Sequence, residues 1–366
     1  MSRATALAPH GSAVPGRPEP GDLAALVDAR LRELIDERRD SSRSLPQPFA
    51  QLWECLAHLV SGGKKIRPRL LLEAYAALGG TDARAAVDAA CATELLHVAL
   101  ILHDDVIDKD LVRRGEMNIS GHFASQAMLR GADITRARGW GETSSLLAGD
   151  LMLTLAQSLL ARLPVAAEKR LGALDAFDRA VFASAAGEHA DVWLSLNLEQ
   201  ASAYDVLSMI ENKTAAYSFE APLTLAGILA GAEDALLAEL AAIAKHLGVI
   251  YQLRDDVLGV FGDEHETGKS TLSDLREGKE TLLVTFARAD RSWPEVQHLF
   301  GDPELTPDGG RRLRAAIEAS GARDLVESLI TDRCEHVNAL VSSPSIPTAL
   351  ADRLSALAET CAARTA

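Results

Sequence analysis

Two acidic clusters, each closing an apolar stretch, carry most of the chemical promise of this chain. The first is His103-Asp104-Asp105-Val106-Ile107-Asp108, preceded by Val98-Ala99-Leu100-Ile101-Leu102. On a helix Asp104 and Asp108 stand one turn apart on one face, with Asp105 adjacent. Three carboxylates emerging from an apolar run are costly to desolvate unless cations compensate them. The second cluster, Asp255-Asp256, lies in the apolar stretch from Gly248 to Gly259, so the same problem arises twice. Facing each other, the two would make an all-oxygen cage. Mg²⁺ is its natural occupant, because it takes one or two carboxylates and fills its other positions with water and phosphate oxygens. Zinc would call for His or Cys at fixed spacing. An isolated D-D-x-x-D is more often a solvated acidic helix end, so its neighbours decide the reading.

Those neighbours are basic. Gly62-Gly63-Lys64-Lys65-Ile66-Arg67-Pro68 sets cations after a glycine turn at an expected helix start, where backbone N–H groups also favour anions. Arg113-Arg114-Gly115 follows the first cluster, and Lys213-Thr214, Gly268-Lys269 and Arg276-Glu277-Gly278-Lys279 add donors. Each alone reads as a surface charge. Together, beside two apolar-flanked acidic clusters, they suit a diphosphate. Gly262 and Gly268-Lys269-Ser270 imitate a P-loop, but five residues separate the glycines where four are needed, three of them are acidic, and no strand precedes. His103 beside Asp104 hints at a metal phosphohydrolase. The further histidines are not at ligand spacing, so a core or supporting role is expected.

The chain that must position these groups has 366 residues, 48% hydrophobic and 4% aromatic, with a net charge of -15. That length fits one large domain or two ordinary ones. The acidic balance excludes general nucleic-acid binding, which needs a basic footprint. Cys55, Cys91, Cys334 and Cys361 are too scattered for a disulfide framework or a cysteine zinc site, so a reducing cytoplasm is the expected location. No signal-like stretch opens the chain and no run reaches the roughly 18 apolar residues of a span, so no membrane anchor is expected. Residues 1–20, rich in Pro, Gly and small side chains, are expected to form a mobile tail.

From Asp22 onward the pattern is helical. Leu23, Leu26, Val27, Leu31, Leu34 and Ile35 recur at i, i+3, i+4 spacing, and the segments 151–163 and 236–247 repeat it. Ala221 to Ala232 reads as a core helix. Period-two alternation is scarce, which makes the chain all-α. Breaks fall at Ser61–Gly63, Gly79-Gly80, Gly115–Gly121, Gly131–Gly141, Phe261–Gly268 and Gly301–Gly310, and Arg130–Gly141 is expected as an exposed loop. Without a linker or clear repeat, one helical domain over 21–366 is the simplest account.

The motifs GGKKIRP (Gly62 to Pro68), LLHVALILHDDVIDKDLVRRG (Leu95 to Gly115), AGDLML (Ala148 to Leu153), Lys213-Thr214, YQLRDDVLGVFGD (Tyr251 to Asp263) and TGKSTLSDLREGKETLL (Thr267 to Leu283) stand in an order that resembles the trans-isoprenyl diphosphate synthase, or polyprenyl synthetase, family. The resemblance implies an all-α antiparallel bundle around a deep central cavity, a homodimer, and head-to-tail joining of isopentenyl diphosphate to an allylic diphosphate. It implies that Asp104, Asp105 and Asp108, with Asp255 and Asp256 opposite, bind Mg²⁺ bridging the allylic diphosphate. Arg113, Lys213, Thr214, Gln252, Lys269 and Lys279 match the family's allylic-side contacts. Lys64, Arg67, His97 and Arg114 match its isopentenyl diphosphate site.

This sequence departs from the family at three places. The second motif, commonly D-D-x-x-D, ends here in Gly259. The usual R-R-G-x-P-T becomes Arg113-Arg114-Gly115-Glu116-Met117-Asn118, followed by a long connection to Gly149-Asp150 that is either a lid or, as the first choice, a tolerated insertion. The positions four and five residues before the first motif, which set chain length through bulky aromatics, are Leu100 and Ala99. An open wall at Ala99 points to geranylgeranyl diphosphate, with farnesyl or longer products as alternatives. A class I terpene cyclase would have no use for a second diphosphate site and would want more aromatics. A non-catalytic regulatory partner would be expected to lose Asp-rich residues.

Overall fold

The computed structural model describes residues 20–113, 115–262 and 271–365; the expected tail lies outside them but for Pro20, which opens the first helix. The chain is helical almost throughout: α1 Pro20–Ser42, α2 Gln47–Ser61, α3 Ile66–Ala77, α4 Ala83–Ile107, α5 Ile119–Leu129, α6 Ile134–Ala161, α7 Ala167–Ser195, α8 Ala203–Ile210, a π segment Glu211–Glu220, α9 Ala221–Ala230, α10 Asp234–Phe261, α11 Ser273–Glu277, α12 Leu282–Ala287, α13 Pro307–Ala319, α14 Ala322–Val341 and α15 Thr348–Ala362. This is the all-α architecture expected. Among the described residues the only sheet is a two-residue hairpin, β1 Val112–Arg113 against β2 Glu116–Met117. Several starts are fixed by side-chain caps: Asp82 accepts from Ala85 N–H, Asn118 from Gly121, Asp133 from Arg136, and Ser202 with Asp205 forms a capping box.

α4 is the centre of the bundle. It packs along α6, α3 and α1, and Ala89, Ala90, Cys91, Ala92, Leu95 and Ala99 are completely buried. α10 lies on the π segment and on α14 and α15. The Arg254–Glu327 pair, with two hydrogen bonds at 2.8 and 2.6 Å, ties α10 to α14, and Arg353–Glu73 ties α15 to α3. Three helices, α4, α6 and α10, turn out long and apolar enough to cross a membrane by length and composition, which corrects the expectation from apolar runs. The hydropathy of α4 is spent on the bundle's own core, where 83% of its apolar window is buried.

The expected loop 130–141 is mostly helix. Only 130–133 connects α5 to α6, because Asp133 starts α6 and the glycines beyond it serve packing. A Cβ at Gly141 would collide with the Ser120 carbonyl, so this glycine permits α5 and α6 to touch main chain to side. The long connection before Gly149 is thus a packed helix pair and not an exposed loop.

Away from the acidic clusters, His246 of α10 stacks on His336 of α14 at 5.3 Å, with Arg333 NH1 3.2 Å from its Nδ1. Burial, Arg333 and His336 together push its pKa down to about 4. Between pH 6.5 and 4 the unfolded chain therefore takes up a proton that the native chain refuses, and stability falls as pH drops through that window. His246 is half-exposed, so about 1 kcal/mol is expected. Urea unfolding should show a shallower acid-side decline in His246→Gln than in wild type. Identical declines would remove His246 from the account.

Candidate active site

The first acidic cluster ends α4, and its charges are met from two sides. Arg113, on the hairpin that follows, donates through Nε to Asp105 Oδ1 at 2.7 Å and through NH2 to Asp104 Oδ2 at 3.0 Å. The turn depends on Gly115, whose φ of +79° lies in the left-handed region. From the other side Lys213 Nζ lies 3.2 Å from Asp104 Oδ1. Burial opposes the charge of Asp104, but Lys213 and Arg113 outweigh it and hold the carboxyl below the usual range. Burial wins at Asp105 and raises it despite Arg113. Asp108, the C-cap of α4, is pushed up to about 7 by burial and then by the charge of Asp104.

Lys213 and Thr214 lie in the π segment, a wide turn uncommon in helices and frequent at functional sites. Two glycines let neighbouring helices reach its main chain. A Cβ at Gly187 of α7 would collide with the backbone at Asn212–Lys213, and one at Gly248 of α10 with Ala215. The close approach of α7 brings Glu188 and Asp191 to 2.8 and 2.7 Å from Lys213 Nζ. Burial would neutralise this ammonium, but Asp191, Asp104 and Glu188 raise its pKa well above the ordinary lysine value. On the α10 side, Thr214 Oγ1 donates to Gln252 Oε1 at 2.8 Å, and Gln252 Nε2 donates to Asp256 Oδ1 at 2.9 Å. Lys279, in the loop after α11, lies 3.5 Å from Asp256. Burial raises Asp256 to about 6 against the pull of Lys279 and Gln252. Asp255 is more open and pairs with Arg364 at 3.3 Å, whose guanidinium also covers the Tyr251 ring.

A second cationic group sits one turn further along the π segment. Arg67 of α3 donates to Ser218 Oγ at 2.8 Å and to Tyr217 OH at 3.1 Å, with its guanidinium 4.8 Å over the Tyr217 ring. His97 of α4 stacks on the same ring at 5.9 Å. The two adjacent lysines divide their work. Lys65, at φ 45°, donates to the carbonyls of Val60 and Gly62 and so caps α2, whereas Lys64 is exposed. Arg114 and Lys269 lie outside the described residues.

The donor set, carboxylate oxygens with no sulfur or imidazole among them, is the chemistry Mg²⁺ prefers. Among the described residues no three His, Cys, Asp or Glu side chains form a group that could hold a metal ion. Asp104, Asp255 and Asp256 are each tied to a cation or amide of the chain itself. Such carboxylates suit an ion that takes one or two of them and shares the rest of its shell with water and phosphate.

The polyprenyl synthetase profile matches residues 50–302, a span holding every one of these groups except Arg364. The chain belongs to the polyprenyl synthetase family. It is 32% identical over 263 residues to geranylgeranyl diphosphate synthase of Sulfolobus acidocaldarius, covering 70% of this chain and 73% of that one. It is 32% identical over 276 residues to geranylfarnesyl diphosphate synthase of Aeropyrum pernix, covering 74% and 80%. Its fold matches geranylgeranyl pyrophosphate synthase from Corynebacterium glutamicum, solved with isoprenyl diphosphate and magnesium, at a TM-score of 0.87 and 28% identity, over 95% of this chain and 100% of the other.

As a polyprenyl synthetase the chain is a prenyltransferase. Of the motif residues, Asp104, Arg113, Lys213, Thr214, Gln252, Asp256 and Lys279 are linked through the π segment and Arg67 and His97 meet at Tyr217, whereas Lys64 stays exposed and Asp255 turns to Arg364. The reading from sequence missed Glu188, Asp191, Tyr217, Ser218 and Arg364. Glu188 and Asp191 carried a faint signal, an i, i+3 acidic pair beside a mid-helix glycine. Tyr217 and Ser218 follow Lys213-Thr214 after two alanines, but only the π geometry turns them toward Arg67. His103 has the supporting place expected: its ring lies where a Cβ on Gly149 would go, and Nε2 is 3.3 Å from Asp150. The wall at Ala99 is not open. Ala99 is fully buried in the core, while Leu100, one helical turn from Asp104, is the half-buried member of the pair.

Proposed function

We propose that this prenyltransferase joins isopentenyl diphosphate to an allylic diphosphate, head to tail, to give geranylgeranyl diphosphate. The observation that carries the reading is the pair of cationic groups on one π segment. Lys213 and Thr214 face the acidic clusters, and Tyr217 and Ser218 hold Arg67 beside His97. Two such groups suit two diphosphates side by side.

In this reading the allylic diphosphate lies between Asp104, Asp105 and Asp108 on one wall and Asp255 and Asp256 on the other. Lys213, Thr214, Gln252, Lys279, Arg113 and Lys269 are its contacts. Lys64, Arg67, His97 and Arg114 bind isopentenyl diphosphate. Asp104, Asp105, Asp108, Asp255 and Asp256 would hold Mg²⁺, which would supply charge neutralisation for a diphosphate leaving group. Lys213, Arg113 and Lys279 add preorganised positive charge where negative charge grows as the C–O bond breaks. The isopentenyl double bond then attacks the allylic cation. One proton leaves the new chain, and the released pyrophosphate takes it.

The C20 product is supported by the names of the relatives above and by the aliphatic Leu100 beneath Asp104; geranylfarnesyl and farnesyl synthases are also among the relatives. Incubation with isopentenyl diphosphate and dimethylallyl, geranyl or farnesyl diphosphate, with Mg²⁺ or EDTA, should yield a C20 alcohol after dephosphorylation only when Mg²⁺ is present. No elongation from any primer would refute the reading. Leu100→Phe should shift the main product to C15 by chromatography, and an unchanged C20 product would move the determinant elsewhere. Ala99→Phe is the poorer probe, because enlarging a filled core site costs about 1–3 kcal/mol.

We also propose a homodimer, supported by the exposed apolar side chains Leu129, Ile134, Trp140, Leu146 and Leu147 on and beside α5 and α6. Sedimentation equilibrium should give twice the chain mass. A monomer throughout would refute it.

A further inference from the structure

Lys279 stands in the short connection between α11 and α12, and such a connection does not by itself fix a side chain. Here the peptide unit that leads into Lys279 is bonded at both ends. The Lys279 N–H donates to the Asp274 carbonyl at 3.0 Å, and the Gly278 carbonyl accepts from Asn197 Nδ2 at 3.1 Å. Because that unit is planar, the two bonds set the direction in which Lys279 leaves it. Gly278 is buried at φ +69°, and a Cβ there would stand only 3.1 Å from Asn197 Nδ2.

Asn197 comes from a distant part of the chain. It is the first residue beyond the C-cap of α7, at φ 53°, with its N–H on the Leu194 carbonyl. Glycine is the usual residue in that left-handed position, so ending the helix asks for no side-chain amide. The amide works elsewhere. Besides Gly278, Nδ2 reaches the Ser195 carbonyl at 2.9 Å, and Oδ1 accepts from Arg288 NH2 at 2.5 Å. The same Arg288 nitrogen donates at 2.7 Å to the buried carboxylate of Glu280, and the guanidinium lies 5.8 Å over the Trp293 ring and 5.3 Å over that of Phe300. The residues on either side of Lys279 are thus held by one linked pair. α7 also brings Glu188 and Asp191 to Lys213, so a single helix braces both lysines.

We propose that Asn197 is a positioning residue for Lys279: with Arg288 it locks the 278–280 turn so that the ammonium is held ready for the allylic diphosphate. The inference rests on the reading that Lys279 contacts that substrate.

The test is a double-mutant cycle in steady-state kinetics at saturating Mg²⁺, with geranyl diphosphate and isopentenyl diphosphate varied in turn and thermal unfolding as the check on folding. Asn197→Gly keeps the left-handed helix end and removes the amide. It should unfold near the wild-type midpoint, leave KM for isopentenyl diphosphate unchanged, and lower kcat/KM for geranyl diphosphate about tenfold, the kind of loss a small misplacement causes. Asn197→Asp keeps an acceptor for Arg288 but sets a carboxylate against the Gly278 carbonyl, and should lose at least as much. On a Lys279→Met background Asn197→Gly should cost nothing further, because the group it positions is gone. Wild-type kcat/KM in Asn197→Gly would overturn the inference, as would an equal loss for both substrates or a full second loss on the Lys279→Met background. Should Lys279→Met fail to fold, the split between the two substrates in Asn197→Gly and Asn197→Asp still decides. Unchanged kcat/KM for geranyl diphosphate in Lys279→Met would overturn the underlying reading of Lys279, and so separates the two failures.

Discussion

Asp104→Ala is expected to lower kcat about 10³-fold, the scale seen when one preorganised electrostatic partner of a developing charge is removed. Asp104 is where three proposed roles meet: it ends α4, it pairs with Lys213 at 3.2 Å, and it pairs with Arg113 at 3.0 Å. Its loss removes a carboxylate of the proposed Mg²⁺ site and frees Lys213 and Arg113 from the positions proposed to meet the leaving diphosphate. Because these interactions matter most as charge develops, kcat should suffer more than KM for either substrate. Lys64→Ala offers the contrast. Exposed and remote from the acidic clusters' pairing, it should raise KM for isopentenyl diphosphate and leave kcat nearly unchanged. Steady-state kinetics at saturating Mg²⁺ would reveal the split. Near-normal turnover in Asp104→Ala would end the proposal for the first cluster.

Lys213→Ala should cost stability as well as activity. Its ammonium sits among Asp104, Glu188 and Asp191, all within 3.2 Å. Removing the lysine that these three part-buried carboxylates share leaves them facing each other, and breaking such a pairing costs about 3 kcal/mol. Urea denaturation should therefore show a lower midpoint in Lys213→Ala, relieved at acid pH where the carboxylates protonate. A midpoint equal to wild type would show that α7 and the π segment are held by packing alone.

The parts of this site that were legible from sequence share one property: they are local. Asp104 and Asp108 lie a turn apart on any helix, and Lys64-Lys65 follow a glycine turn whatever the fold. Helicity itself was readable because the periodicity of Leu and Ile is a local signal too. What stayed hidden depends on approach between segments distant in sequence. Glu188 and Asp191 become partners of Lys213 only because Gly187 admits its backbone, and Arg364 meets Asp255 only through the docking of α15 on α10. Glycine also misled. Gly139 and Gly141 are loop residues by composition, yet they stand inside α6, where the absence of a side chain at Gly141 serves helix contact. Ala99 was a related error, since a small residue reads equally as an open wall or as a tightly filled one.

The π segment bears on which length changes this chain can accept. In a regular helix each residue turns everything beyond it by about 100°, so adding or removing one residue swings the next face away from its partners. α8, the π segment and α9 form one uninterrupted run from Ala203 to Ala230, with Val206, Met209 and Ile210 buried before the wide turns and Leu223, Leu225 and Leu229 after them. Both faces are in register only with the slack of the π turns included. A one-residue deletion between 211 and 220 would close those turns to α geometry, keep every hydrogen-bonding group satisfied, and still rotate α9 out of its seat. Among related chains, the count of residues from the Lys213 position to the start of α9 should therefore be far less variable than the lengths of the connections around it.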